Sequence, residues 1–189
     1  MPSLQLRAEP PLGGFKESFD GADLIEIANL AIVSIAIPLG GDAALTAALA
    51  KTYGADLPEP GRSVMSKDGR TRFLWTARDQ LFALFEDANP KAAAEVKAKL
   101  GDAAYVTLQS DNWVALRLDG RKARDALERI CPIDLHAEAF PEGHVTRTAM
   151  EHMGVLLLRD GANSFVLLSA SSSAMSFLHA VKTSVQNVT

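Results

Sequence analysis

The chain has a single cysteine, Cys131, so it can form no internal disulfide. One thiol also cannot build a thiolate metal site, and a reducing, cytoplasmic setting is expected. Basic charge is not in surplus: 19 Lys and Arg stand against 23 Asp and Glu, a formal net charge of −4. No basic stripe is interleaved with aromatics, which argues against a nucleic-acid partner. Long apolar runs are also lacking. The most apolar stretch, "LAIVSIAIPL" (residues 30–39), is too short to span a bilayer and ends in Pro-Leu-Gly-Gly, so no membrane segment is expected. The first twenty residues lack the continuous apolar core of a signal peptide. The glycine pairs Gly13-Gly14 and Gly40-Gly41 stand without G-x-G-x-x-G or a Walker lysine, and no G-x-S-x-G occurs. The four histidines, His136, His144, His152 and His179, show no metal-ligand spacing.

What remains is the composition of an ordinary globular protein: 189 residues, 48% hydrophobic and 22% charged, enough for a sizeable core. Residues 30–37 are β-branched and bounded by Gly40-Gly41, the signature of a buried strand. A helix follows from Asp42 to Gly54, where glycine closes it. Residues 71–77 and 80–86 read as a hairpin around Arg78-Asp79, 91–100 as a helix ended by Gly101, and 104–109 as a returning strand. The first half thus reads β-α-β-β-α-β, a ferredoxin-like split βαβ sandwich. The second half repeats the plan. A strand spans 113–120, a helix 121–131 ended by Pro132, and strands 144–161 and 164–170 turn at Arg159-Asp160-Gly161. A final helix, capped by Ser171 or Ser172, spans 172–186.

The halves can be superposed thinly, with Leu39 to Ala44 over Leu118 to Ala123 and Arg78-Asp79 beside Arg159-Asp160. Both an internal duplication and a chance likeness fit this. The expected fold class is α+β, with two ferredoxin-like α/β sandwich units in tandem. Residues 1–29 form an extended arm, 30–110 the first unit and 111–189 the second.

Cys131, Asp134 and His136 lie within six positions and look like parts of a nucleophilic site. A reactive thiolate sits at a helix N-terminus or beside a cation. Cys131 ends a helix, where the dipole disfavours an anion. It is therefore expected at the core edge, with Asp134 serving the turn and His136 at the surface. The hydroxyls of "SASSSAMS" (169–176) are expected to cap a strand-to-helix turn.

Two features point to association. "MGVLLLRDGANSFVLLSA" (153–170) is more apolar than one sheet face requires. The loop 136–148 carries Phe140, Pro141, His144 and Arg147 without secondary structure, a length that is usually functional or docked. Phe140 is expected to fill a partner pocket and Arg147 to pair with a partner carboxylate. The arm as far as Phe15 is expected to lie across a partner.

The run 111–181 resembles the gamma subunit of heterotetrameric sarcosine oxidase. The likeness rests on Trp113, Gly120 to Leu127, Cys131-Pro132-Ile133-Asp134-Leu135-His136, Phe140-Pro141-x-Gly143, Arg147-Thr148 and His152, with "EPPLGGF" matching the opening. The resemblance implies a fold related to the folate-binding aminomethyltransferases. It implies a complex that demethylates sarcosine to glycine, forming hydrogen peroxide and methylene-tetrahydrofolate. Alpha, beta and delta subunits would be the partners. FAD, FMN, NAD, tetrahydrofolate and zinc would sit on those subunits, with no cofactor and no catalytic residue on this chain.

A second reading, a stand-alone folate-dependent aminomethyl carrier or transferase, needs a carboxylate in a pocket of its own. Asp111, Asp119 and Asp134 are the candidates, each with a turn or cap explanation.

Overall fold

The computed structural model describes residues 9–87 and 89–189. The first eight residues of the expected arm lie outside the described residues. The strands are β1 (Lys16–Phe19), β2 (Ala22–Glu26), β3 (Leu30–Ala36), β4 (Ser63–Met65), β5 (Arg72–Ala77), β6 (Gln80–Glu86), β7 (Tyr105–Leu108), β8 (Trp113–Asp119), β9 (Val145–Met150), β10 (Met153–Gly161) and β11 (Ser164–Ala170). The helices are α1 (Asp42–Tyr53), α2 (Ala92–Leu100), α3 (Ala123–Glu128) and α4 (Ala174–Gln186).

Two antiparallel sheets form, one ordered β4-β5-β6-β3-β7 and the other β9-β10-β11-β8-β2-β1. They share one plan: a short edge strand, a hairpin, the opening strand beside it, then a closing strand. The sheets pack face to face, and each carries two helices on its outer face. Alternation along the strands divides the side chains between these layers. In β3, Ala31, Val33 and Ile35 meet α1 and α2, while Ile32 faces the other sheet. In β10, Val155 and Leu157 meet α3 and α4, while Leu156 and Leu158 face the first sheet. Burial on both faces accounts for the apolar stretches 155–158 and 165–168. That surplus serves the contact between the chain's own sheets, not the partner surface expected from the sequence.

Four expectations need correction. The arm ends before Lys16: β1 and β2 pair as a hairpin, and β2 pairs with β8, Leu24 opposite Leu118. The second sheet is therefore closed by residues that precede the first, and the two units are not strictly in tandem. Second, α3 is shorter than 121–131. Its start is held by the Lys122 N–H bonding the Gly21 carbonyl (2.9 Å), and its end tightens where Ile130 and Cys131 both donate to Leu127 O. Gly120, with φ +121°, lies so close to the Gly21 backbone that a Cβ would collide with it. Third, 144–161 is no single strand. It folds as the β9–β10 hairpin around Glu151 and His152, whose φ values of 46° and 71° make a turn of the primed kind that suits strand twist. Fourth, β10 runs through Arg159-Asp160-Gly161, so the turn to β11 falls at Ala162-Asn163. The N-caps are Gly41 for α1 and Ser173 for α4, neither with a side-chain cap bond.

Among the described residues, no helix is long and apolar enough to cross a membrane.

Candidate functional site

Cys131 is buried at 6% exposure in the core under the second sheet. Its Sγ lies 3.9 Å from Thr148 Oγ1. Asp134 Oδ1 accepts the His136 N–H at 2.9 Å, closing the turn after the helix. The His136 ring is exposed and faces Glu138, whose carboxylate lies at 4.0 Å. Thiol, carboxylate and imidazole therefore have separate local tasks. Among the described residues, no group of three His, Cys, Asp or Glu is placed to hold a metal ion.

The loop after Pro132 is fastened to its own chain by Arg159, which the sequence reading took for a turn residue. This guanidinium is buried on β10. It donates to Leu135 O (3.2 Å), Phe140 O (2.9 Å), Gly161 O (3.3 Å) and Ala162 O (2.6 Å). Four carbonyl dipoles satisfy the buried cation, and the Phe165 ring lies 5.4 Å from it. Phe140 is only 5% exposed and belongs to the core of the second sheet. Its ring meets His144 edge-on at 5.6 Å. The expected role of Phe140 as an anchor in a partner pocket is therefore replaced by an internal one.

His144 bridges Arg62, tying the edges of the two sheets together. Its Nε2 is sealed from solvent without a hydrogen-bond partner. Burial lowers its pKa, and the nearby Arg62 charge lowers it further. Pro141 is half-buried in the same loop. Arg147 is exposed, but its Nε donates to Thr76 O (2.9 Å), and its guanidinium lies 6.0 Å from the Trp113 ring centre. Phe15 is half-buried on the second core, with Lys182 Nζ 5.7 Å from its ring centre. Loop 10–15 is held by Glu26, a residue that sequence reasoning missed. Its buried carboxylate accepts the N–H groups of Leu12 (2.9 Å), Gly14 (2.6 Å) and Phe15 (3.3 Å).

A cleft of about 770 Å³ opens at one end of the seam between the sheets. Leu30, Leu84, Leu158 and Val166 line its floor, and Asp160 sits in its wall. One Asp160 oxygen lies 2.6 Å from Arg72 Nη2 of the first sheet, and the other lies 3.3 Å from Arg117 Nη2 of the second. Both oxygens are thus engaged by guanidinium groups. Tyr53, also in the wall, has its phenol pushed up to about 12, first by burial and then by Asp68 and Glu95. It stays neutral at physiological pH. Among the described residues, the lining contains no cysteine, serine or histidine. None of Asp111, Asp119 and Asp134 lines it either, so the carboxylates considered for a folate amine lie elsewhere.

The fold is that of the aminomethyltransferases: the glycine cleavage system aminomethyltransferase T from Bartonella henselae matches with a TM-score of 0.64 over 90% of this chain and 56% of that one, at 14% identity. No family model matches the sequence. A chain of the heterotetrameric sarcosine oxidase from Corynebacterium sp. U-96, solved with pyrrole 2-carboxylate, matches with a TM-score of 0.78. It covers 92% of this chain and 88% of that one at 26% identity. The sarcosine oxidase subunit gamma of Corynebacterium sp. (strain P-1) is 35% identical over 127 residues, 67% of this chain and 62% of that protein. That of an Arthrobacter sp. is 34% identical over 122 residues, 65% of this chain and 60% of the relative. The matched region thus spans about three fifths of these relatives' length. Over the matched region the chain is similar to the gamma subunits of sarcosine oxidase.

Proposed function

We propose that this chain is a non-catalytic, structural subunit of a heterotetrameric sarcosine oxidase. The observation that carries this reading is the likeness to a chain of that assembly along nearly the whole fold. The geometry agrees with a structural role. The thiol is buried beside Thr148, the cleft carboxylate is held by two arginines, and the buried Arg159 organises a loop. In this reading the complex converts sarcosine to glycine in the cytoplasm, with hydrogen peroxide and methylene-tetrahydrofolate formed. FAD, FMN, NAD, tetrahydrofolate and zinc reside on the alpha, beta and delta subunits. Phe15, Pro141, His144 and Arg147 remain candidates for contact with those subunits, with the Phe140 ring packed against His144.

The test is purification from the native host. Three further chains and a yellow flavin colour should accompany this one. The chain produced alone should be colourless and inactive on sarcosine. A stoichiometric flavin in the isolated chain, or the absence of partner chains, would overturn the reading.

A further inference from the structure

The two sheets share a plan but not a strand count, and the difference exposes an edge. In the second sheet the closing strand β2 is covered by β1. In the first sheet the equivalent closing strand, β7, is last in the order, with no strand beyond it. The direction of its free groups follows from its pairing with β3. Thr107 stands opposite Ser34 and Tyr105 opposite Ala36. The Gln109 N–H donates to Ile32 O at 2.8 Å, so these alternate positions are the hydrogen-bonded pairs. Val106 and Leu108 lie between them and point their N–H and C=O groups outward. No strand pairs with these groups among the described residues.

The side chains fit the same reading. Tyr105 is 69% exposed, and Leu39, three residues beyond its strand partner Ala36, is fully exposed. β7 carries no charge, proline or bulge of the kind that guards a sheet edge.

We propose that the outer edge of β7 receives an extended segment of a partner subunit, which adds a sixth strand to the first sheet as β1 does to the second. This rests on the reading of the chain as part of a hetero-oligomer. The occupant is an uncharged stretch with apolar or hydroxyl side chains beside Tyr105 and Thr107, bound chiefly through backbone bonds. A second copy of this chain does not suit the site. Four residues of strand bury far less than the roughly 1,200–2,000 Å² of a stable interface. The edge therefore serves a strap whose parent subunit is also held elsewhere.

Hydrogen exchange of the peptide covering 104–109 tests this in the isolated chain and in the complex from the native host. The Val106 and Leu108 amides should exchange freely in the isolated chain and become protected on assembly. Val106→Pro removes an outward N–H and leaves the β3 ladder intact, whereas Val106→Thr keeps it. The proline variant should be retained by the complex about tenfold more weakly than the threonine variant, the equivalent of one or two lost hydrogen bonds. If partners co-purify but the peptide exchanges equally fast in both states, the edge is not the docking site. If protection appears in the isolated chain as its concentration rises, the occupant is a second copy and the proposal is wrong. If no partners co-purify with the wild-type chain, the subunit reading fails and this proposal fails with it.

Discussion

Arg72 on β5 and Asp160 on β10 meet across the seam between the sheets at 2.6 Å, with side chains only 19% and 16% exposed. Arg117 approaches the same carboxylate from within the second sheet. Asp160 therefore separates two guanidinium groups. In Asp160→Asn they face each other with one neutral amide between them. The variant is expected to lose about 1–3 kcal/mol, below the usual cost of breaking a fully buried pair because water reaches Arg117. Urea denaturation should show a lower midpoint with an unchanged slope. An unaltered midpoint would show that the triad contributes nothing to stability.

Glu26 holds loop 10–15 through three backbone donors. Glu26→Ala removes a buried charged acceptor from three partly buried N–H groups and should cost about 2 kcal/mol. Amides of Leu12, Gly14 and Phe15 should then exchange rapidly while those of β8 stay protected. Unchanged exchange at Gly14 would count against this anchoring role.

The pH dependence of His144 has a definite sign. Its pKa in the folded chain lies below the ordinary 6.5, so the unfolded chain takes up this proton first as the pH falls. The stability it contributes is whole above about pH 6.5 and is lost as the pH drops from there towards the folded-state value. Between pH 7.5 and 5.5, wild type should lose more stability than His144→Gln. Equal losses in the two proteins would remove His144 from the account.

Phe140→Ala opens a cavity in this chain's own core. The expected cost is about 3–5 kcal/mol, enough to threaten the fold of the isolated chain. Thermal unfolding by circular dichroism decides between this and the purely interfacial role expected from the sequence, for which the melting temperature of the isolated chain would not move.

Cys131→Ser should cost about 1–3 kcal/mol, since it places a hydroxyl in the apolar core with only the distant Thr148 Oγ1 (3.9 Å from the present Sγ) as a polar neighbour. In the assembled complex, turnover per flavin should stay near wild type. A fall of several orders of magnitude with the assembly intact would show that the thiol reacts.

Strands and helices bounded by local turn and cap signals were legible in the sequence. β3, β5 and β6 appeared at nearly their observed bounds, and Gly54 closed α1 in the left-handed conformation expected of it. What escaped was set by distant contacts. "ADLIE" of β2 mixes two acids with three apolar residues, and nothing local reveals that Leu24 pairs with Leu118. Glu26 looks like a surface acid until loop 10–15 folds over it. Arg159 and Asp160 look like turn residues because a charge inside an apolar strand is costly unless partners satisfy it. Those partners are the carbonyls of Leu135, Phe140, Gly161 and Ala162 for one, and Arg72 and Arg117 for the other. Cys131 is buried, Asp134 closes the turn and His136 is exposed, as the apolar neighbours of Cys131 and the break at Pro132 led one to expect.

The placement of β2 beside β8 sets an order of events during synthesis. The first sheet can close once β7 has left the ribosome. β2 is made earlier still, yet its neighbour β8 emerges only after that whole sheet, a delay of roughly five to twenty seconds at ordinary elongation rates. Until then the nascent chain carries an unmatched hairpin ahead of the first sheet, a natural point of call for a chaperone.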